Sequence, residues 1–263
     1  MRGRPANIPE IIVETATVKL VREAAQYSLD LRFPVRLIGK PGTGKSSALW
    51  HIAQDFGGVY CEISQQSKAP KGMLELLLRE ADQFTSQKYI DELAREAYYY
   101  FRSGSRYNER TGYFNTGPIL LVVDEVQTLE VPAFRELLRI QEKCGIGLLL
   151  AGNAERLAST RKKEADTWAQ IESRIAMTRQ LPAPSRTDCD LIGSTYNVEG
   201  MDAYVGLAAY GAKTNFRDLV QLLETAKRLT GGATGIRLAH LKSALGILTT
   251  KPDLLRLMQP EAA

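Results

Sequence analysis

The sequence predicts an α/β protein, a parallel β-sheet flanked by helices, followed by a smaller α-helical lid domain. Three observations carry this. Short apolar runs ending at glycine or a carboxylate alternate with helix-length amphipathic stretches, the pattern of strand–crossover–strand units. A glycine-rich octapeptide, Gly39-Lys40-Pro41-Gly42-Thr43-Gly44-Lys45-Ser46, sits at the first strand–helix junction. After Pro182-Ala183-Pro184 the apolar runs stop and only helical periodicity remains. The expected domains are therefore 1–183 and 184–263.

Residues 11–28 show helical periodicity, and Phe33-Pro34-Val35-Arg36-Leu37-Ile38 is a short apolar run suited to a buried strand. A helix is predicted over 45–55. Gly57-Gly58 ends it, and Val59-Tyr60-Cys61-Glu62-Ile63 reads as the second strand. Helices follow over 71–84 and 89–102. Residues 103–117, rich in Gly, Ser, Asn and Arg, read as a polar turn segment. The third strand is Pro118-Ile119-Leu120-Leu121-Val122-Val123-Asp124, apolar and closed by a carboxylate. The next helix opens at Pro132, since proline fits a first helical turn. Residues 146–152 and 176–181 complete the strands. Phe216, Leu219, Val220, Leu223 and Ala226 lie on one helical face, as do Leu238, Leu241, Leu245 and Leu248.

Composition narrows the function classes. The 263 residues, 44% hydrophobic and 24% charged, suffice for a full core. No uncharged apolar run approaches the ~18 residues of a membrane span. The N-terminal residues carry no apolar segment of a secretory signal. Cys61, Cys144 and Cys189 are far apart and outside metal-ligand spacing, so reduced thiols in a cytoplasmic protein are expected. His51 and His240 are too few for a multi-histidine metal centre. Lys and Arg number 34 against 30 Asp and Glu, a net charge of +4, too weak to predict nucleic-acid binding by itself.

The octapeptide matches G-x-x-x-x-G-K-[ST] in full. Glycines there let successive backbone N–H groups converge on phosphate oxygens, and the following helix adds its positive dipole end. The expected nucleotide contacts are Gly39, Pro41, Gly42, Thr43, Gly44, Lys45, Ser46 and Ser47. Lys45 would reach the β- and γ-phosphates of ATP, and Ser46 would ligand Mg²⁺. Asp124 at its strand end is the second Mg²⁺ residue, and Glu125 beside it is the candidate general base for the attacking water. Asn153, just past a strand, either orients that water or caps a helix starting at Ala154. Arg174 is either a surface arginine or a finger onto a neighbouring subunit's ATP. Arg217, in a helix first turn where a cation opposes the dipole, suits a phosphate contact.

In order and type these residues resemble the AAA+ ATPases, over roughly residues 8–250. The resemblance implies a sheet ordered 5-1-4-3-2, a helical lid, and ATP bound between neighbouring subunits. Within that family the chain is most similar to the MuB/TnsC group of transposition target-selection ATPases. The supporting segments are Ile12-Val13-Glu14-Thr15, Gln66-Ser67-Lys68-Ala69-Pro70-Lys71-Gly72-Met73-Leu74, Val123-Asp124-Glu125-Val126-Gln127-Thr128-Leu129, and Leu150-Ala151-Gly152-Asn153-Ala154-Glu155-Arg156-Leu157. The resemblance implies an ATP-dependent homo-oligomer, a ring or helical filament, that coats double-stranded DNA and recruits or stimulates a transposase. Only 38 residues precede the glycine-rich loop, so DNA contact is expected from the ATPase body itself.

The expected DNA contacts are Lys68 and Lys71, with Thr85 and Lys88, on backbone phosphates; the alternative is that these lysines only solvate the surface. Tyr98-Tyr99-Tyr100-Phe101-Arg102, with Arg106, Tyr107, Arg110 and Tyr113, reads either as a packing helix and polar loop or as a base-stacking surface. Residues 211–263 carry eight Lys/Arg against four Asp/Glu, a candidate second interaction surface. Helicase-loader, secretion-regulator and nucleotide-controlled signalling or defence ATPases share the same core and stand as alternatives.

Overall fold

The computed structural model describes residues 5–6, 8–103, 105–108, 113–153, 165–231 and 235–258. The chain divides into two compact units. One comprises residues 1–12, 20–40 and 45–181, and the other residues 13–19, 41–44 and 182–263.

The first unit is built on five parallel strands: β1 (Pro34–Ile38), β2 (Val59–Glu62), β5 (Leu120–Asp124), β6 (Gly147–Gly152) and β7 (Met177–Gln180). A helix, α1 (Ala16–Leu31), precedes them in the chain. The strands lie in the order β2-β5-β6-β1-β7. Numbering only these strands along the chain, that is the expected 5-1-4-3-2. Every residue of β5 and β6 is buried. A strand covered on both faces reads as an unbroken apolar run, which is why these two stand out in the sequence. Cys61, Leu121, Val123, Leu148 and Leu150 share one core with α3 (Pro70–Glu80), α4 (Ile90–Ser103) and α5 (Val131–Cys144). On β5 the alternate residues, Leu120 and Val122, point the other way, and α2 (Lys45–Asp55) packs against β5 and β2. Each such fully buried aliphatic side chain contributes about 1.5–3 kcal/mol.

Parallel pairing brings the carboxyl ends of the strands to one edge. Ile38 pairs with Gly152, and Glu62 with Asp124. Gly39 N–H then donates to the Gly152 carbonyl at 3.3 Å. Gly39, Asp124-Glu125 and Asn153 are thus gathered at this edge, where open α/β sheets bind ligands.

Local chemistry sets the helix ends. In α4, Asp91 and Glu92 open the helix and Arg102 closes it, each sign complementing the dipole. Proline starts α5 and Gly145, at φ 61°, ends it. A short helix, α6 (Ala165–Glu172), precedes β7.

Residues 103–117, expected as a turn segment, contain an antiparallel ribbon. In it β3 (Ser105–Asn108) pairs with β4 (Tyr113–Thr116). The stretch carries Tyr, Phe and Thr, which favour strands; its overall polarity masks them. Arg110 and the side chains of Arg106, Tyr107 and Tyr113 lie outside the described residues.

The second unit holds α7 (Arg186–Thr195), α8 (Met201–Lys213), α9 (Phe216–Leu229), α10 (Leu238–Leu248) and α11 (Pro252–Arg256) around its own core. The amphipathic faces read for α9 and α10 are the ones buried, except Val220 and Leu248, which are exposed, and Leu238, which is half-buried. Three helices, α7, α8 and α11, go unread as individual elements in the sequence. The buried face of α8 is Ala203, Gly206, Leu207, Tyr210 and Gly211, helically spaced but built largely from small residues. The smallness is structural, because a Cβ at Gly211 would stand 2.3 Å from the Cys189 sulfur of α7. Among the described residues no helix is long and apolar enough to cross a membrane.

Candidate nucleotide-binding site

Gly42 and Gly44 have φ of 81° and 73°, left-handed conformations that glycine adopts without steric cost. Positive-φ turns in a glycine-rich loop expose successive backbone N–H groups, the geometry of an anion nest, and in the chain α2 follows directly at Lys45. In the helical unit, the Arg217 N–H donates to the Gly42 carbonyl at 3.3 Å, and Phe216 lies beneath Gly44. Asn215 caps α9 by accepting from Asp218 N–H at 3.0 Å, and its side chain lies where a Cβ at Gly42 would stand. Pro41 is exposed at the loop's outer turn; Thr43 is buried and Ser47 half-buried. Arg217 is exposed in the first turn of α9.

In the sheet unit, Asp124 is fully buried at the end of β5. Its carboxylate accepts from Ser46 Oγ at 2.6 Å and from the Glu125 N–H at 2.9 Å. Lys45 Nζ stands 3.3 Å from Asp124 and 3.6 Å from Glu125. A buried carboxylate is tolerated only with such partners. The Tyr60 hydroxyl lies 3.5 Å from the same carboxylate. Burial, then the charges of Asp124 and Glu62, push its pKa far up, so it stays a neutral donor. Glu62 is likewise raised, by burial first and then by Asp124 and Glu125.

Three carboxylates therefore crowd one lysine, and a divalent cation is the species such a field favours. Among the described residues no group of three or more His, Cys, Asp and Glu could hold a metal outright. A Mg²⁺ completed by phosphate oxygens and water needs less: a hydroxyl and a carboxylate, which Ser46 and Asp124 present side by side. The residues fit both nucleotide phosphate and its metal.

Glu125 adopts φ 56° and ψ 35°, a left-handed backbone unusual for a residue with a side chain. Such strain costs about 1–3 kcal/mol and persists where the surroundings over-determine it. Here it starts the 3₁₀ turn Val126–Thr128. Gln127, within that turn, donates from Nε2 to the Glu125 carboxylate, and its Oε1 accepts from the Asn153 N–H at 3.2 Å. Asn153 is half-buried just beyond β6; residues 154–164, where the helix it would cap is expected, lie outside the described residues.

The remaining expected residues are dispersed. Arg174 sits in the turn after α6, its guanidinium 3.5 Å from Glu142 of α5 and about half exposed. Lys68 Nζ lies 3.5 Å from Glu130, and Lys71 Nζ 3.8 Å from Glu75. These lysines flank the start of α3, whereas Thr85 and Lys88 follow its end, separated by a helix about 16 Å long. Of the aromatic segment, Phe101 is buried and Tyr98 and Tyr100 pack against the core, leaving Tyr99 exposed.

Tyr60, Glu62 and Gln127 are parts of the site that sequence reasoning missed. Glu62 and Tyr60 could be found from strand order, since strand 2 beside strand 3 sets Glu62 against Asp124. Gln127 has only its spacing of two from Glu125, and nothing in that spacing marks a contact.

Residues 34–159 match the family model described as AAA domain, spanning the glycine-rich loop, Asp124-Glu125 and Asn153. Over these 126 of its 263 residues the chain is similar to the AAA ATPases. Among curated proteins it is 25% identical over 193 residues to the Mu-like prophage FluMu DNA transposition protein B of Haemophilus influenzae, covering 71% of this chain and 62% of that protein. It is 26% identical over 239 residues to the replication factor C large subunit of Methanopyrus kandleri, covering 88% of this chain and 44% of that one. The chain thus spans less than two thirds of the length of either relative. Its AAA fold is similar to that of the Aeropyrum pernix ORC2 protein. The ADPNP-ADP complexes match with a TM-score of 0.64 at 15% identity over 94% of this chain and 71% of that one. The ADP form gives 0.59 at 16% identity, covering 92% of this chain and 70% of that one.

Proposed function

We propose that this chain is an ATP-hydrolysing regulator of DNA transposition that assembles on double-stranded DNA and recruits or activates a transposase. The observation that carries the ATPase part is the bonded set Ser46–Asp124–Lys45 with Glu125 alongside. The transposition part is supported by the likeness to a transposition protein B over 71% of the chain.

In this reading the N–H groups of residues 42–46 receive the phosphates and Lys45 pairs with their β- and γ-oxygens. Ser46 and Asp124 hold Mg²⁺, which neutralises charge on the phosphates. Glu125 takes a proton from water as its oxygen bonds to the γ-phosphorus. The bond from that phosphorus to the β-phosphate oxygen breaks, giving ADP and phosphate. Asn153 orients the water, and Arg217 contacts phosphate. Arg174 reaches the ATP of a neighbouring subunit, exchanging its exposed pairing with Glu142, which is worth little. Lys68, Lys71, Thr85 and Lys88 contact DNA backbone phosphates.

A second reading, a loader of replication proteins, is favoured by the likeness to a replication factor C subunit. One experiment addresses both. Glu125→Gln should bind ATP within about threefold of the parent while turnover falls about 100-fold or more. Trapped with ATP, it should form rings or helices on duplex DNA in electron micrographs. Full turnover in the variant would remove Glu125 as the base; DNA-free monomers in every nucleotide state would overturn the transposition reading.

A further inference from the structure

The described residues place one side chain between the base of the proposed reaction and the strand end that carries Asn153. Gln127 is 9% exposed, in the middle of the 3₁₀ turn, and both ends of its amide are used. The Nε2 donates to the Glu125 carboxylate while Oε1 accepts from the backbone N–H of Asn153. The two contacts fix the amide's orientation. Flipped, it would set its NH₂ against the Asn153 N–H, donor to donor, and its oxygen against a carboxylate, acceptor to acceptor.

The surroundings make this geometry rigid. Thr128 N–H donates to the Glu125 carbonyl at 2.9 Å, and Leu129 N–H to the Val126 carbonyl at 3.1 Å. The Glu125 N–H is held by Asp124. With the backbone at 125 turned left-handed and both flanks bonded, the remaining freedom at Glu125 is rotation of its side chain. Gln127 and Lys45 are what restrain it.

We propose that Gln127 is a positioning residue: it holds the Glu125 carboxylate in one orientation and ties that orientation to the end of β6. A shift of Asn153 toward or away from phosphate would be passed through one amide to the base. The proposal rests on the assignment of Glu125 as general base. Few side chains suit the task. Glutamate keeps the size and the acceptor for Asn153 but replaces the donor with a charge facing Glu125. Methionine keeps the volume and has neither group.

The test compares Gln127→Glu, Gln127→Met and Glu125→Gln in steady-state ATP turnover, with binding of a fluorescent ATP analogue and thermal melting alongside. Both Gln127 variants should lose about 10- to 100-fold in kcat, a misplaced catalytic group costing on that order. Their affinity for the analogue should stay within about threefold of the parent. In the Glu125→Gln background, either Gln127 change should cost nothing further, since the group being positioned is gone. Wild-type kcat in both Gln127 variants would overturn the proposal. So would parallel losses of kcat, affinity and melting temperature, which mark a purely structural role. If Glu125→Gln itself turns over normally, the base assignment fails and the proposal falls with it. Loss in Glu125→Gln with no loss in the Gln127 variants removes the positioning role alone.

Discussion

A β-carbon at position 42 would stand 2.4 Å from Asn215 Oδ1 and 2.5 Å from its Cγ, on a backbone whose φ is 81°. Gly42→Ala therefore meets two penalties, left-handed strain of about 1 kcal/mol or more and displacement of the Asn215 cap. Gly231 separates them, since its φ is 63° but no atom of the described residues lies within 4 Å of its missing Cβ. Both alanine variants should lose comparable stability from strain. Gly42→Ala alone should lose ATP affinity, by about tenfold or more, because the loop N–H groups it displaces aim at phosphate. Melting curves and titration of an ATP analogue check this. Equal ATP affinity in the two variants would show that the loop tolerates the displaced cap.

At the scale of the element, α9 carries more than its core face. Asn215 accepts from the Asp218 N–H and its Nδ2 donates to Asp218 Oδ2 at 2.9 Å, so the cap is bonded at both ends of its amide. Removing it in Asn215→Ala should cost about 1 kcal/mol in urea unfolding, and Asn215→Asp should recover only part of that, because its second oxygen would face the Asp218 carboxylate. An unchanged urea midpoint in the alanine variant would mean the helix start is held by Phe216 and Leu219 packing alone. The same helix shows why some elements are legible in sequence and others are not. Phe216, Leu219 and Leu223 repeat as large apolar residues, with Ala226 on the same face, against a polar background, so α9 is plain to read. In α8, Gly206 and Gly211 occupy the buried face, and glycine reads as a breaker although close approach to Met258 and Cys189 requires it. The β3–β4 ribbon is lost in its polar composition. The candidate site divides likewise. Lys45, Ser46, Asp124 and Glu125 follow from motif spacing, whereas the positions of Gln127 and Tyr60 depend on a left-handed residue and on strand register.

For the whole molecule, a net charge of +4 over 263 residues is little for a protein proposed to coat DNA. An oligomer repeats each subunit's cations along the phosphate track, so placement matters more than the sum. Lys68 and Lys71 are paired with Glu130 and Glu75, but all four side chains are 45–52% exposed. Exposed pairs of this kind are worth about 0–1 kcal/mol, so a nearby phosphate can take either lysine from its partner. Charge removal by Lys68→Gln and Lys71→Gln should weaken duplex binding without sequence preference. For every phosphate no longer neutralised, the slope of log affinity against log salt should become shallower by about 0.9. Lys88, beyond the far end of α3, should keep part of that dependence, so the double variant retains a smaller slope rather than none. Glu130→Gln and Glu75→Gln free the same lysines and should strengthen binding slightly at low salt, an effect that more salt erases. Binding isotherms at several salt concentrations decide it. An unaltered slope in the double lysine variant would move DNA contact away from the start of α3, with the basic stretch 211–263 as the next surface to test.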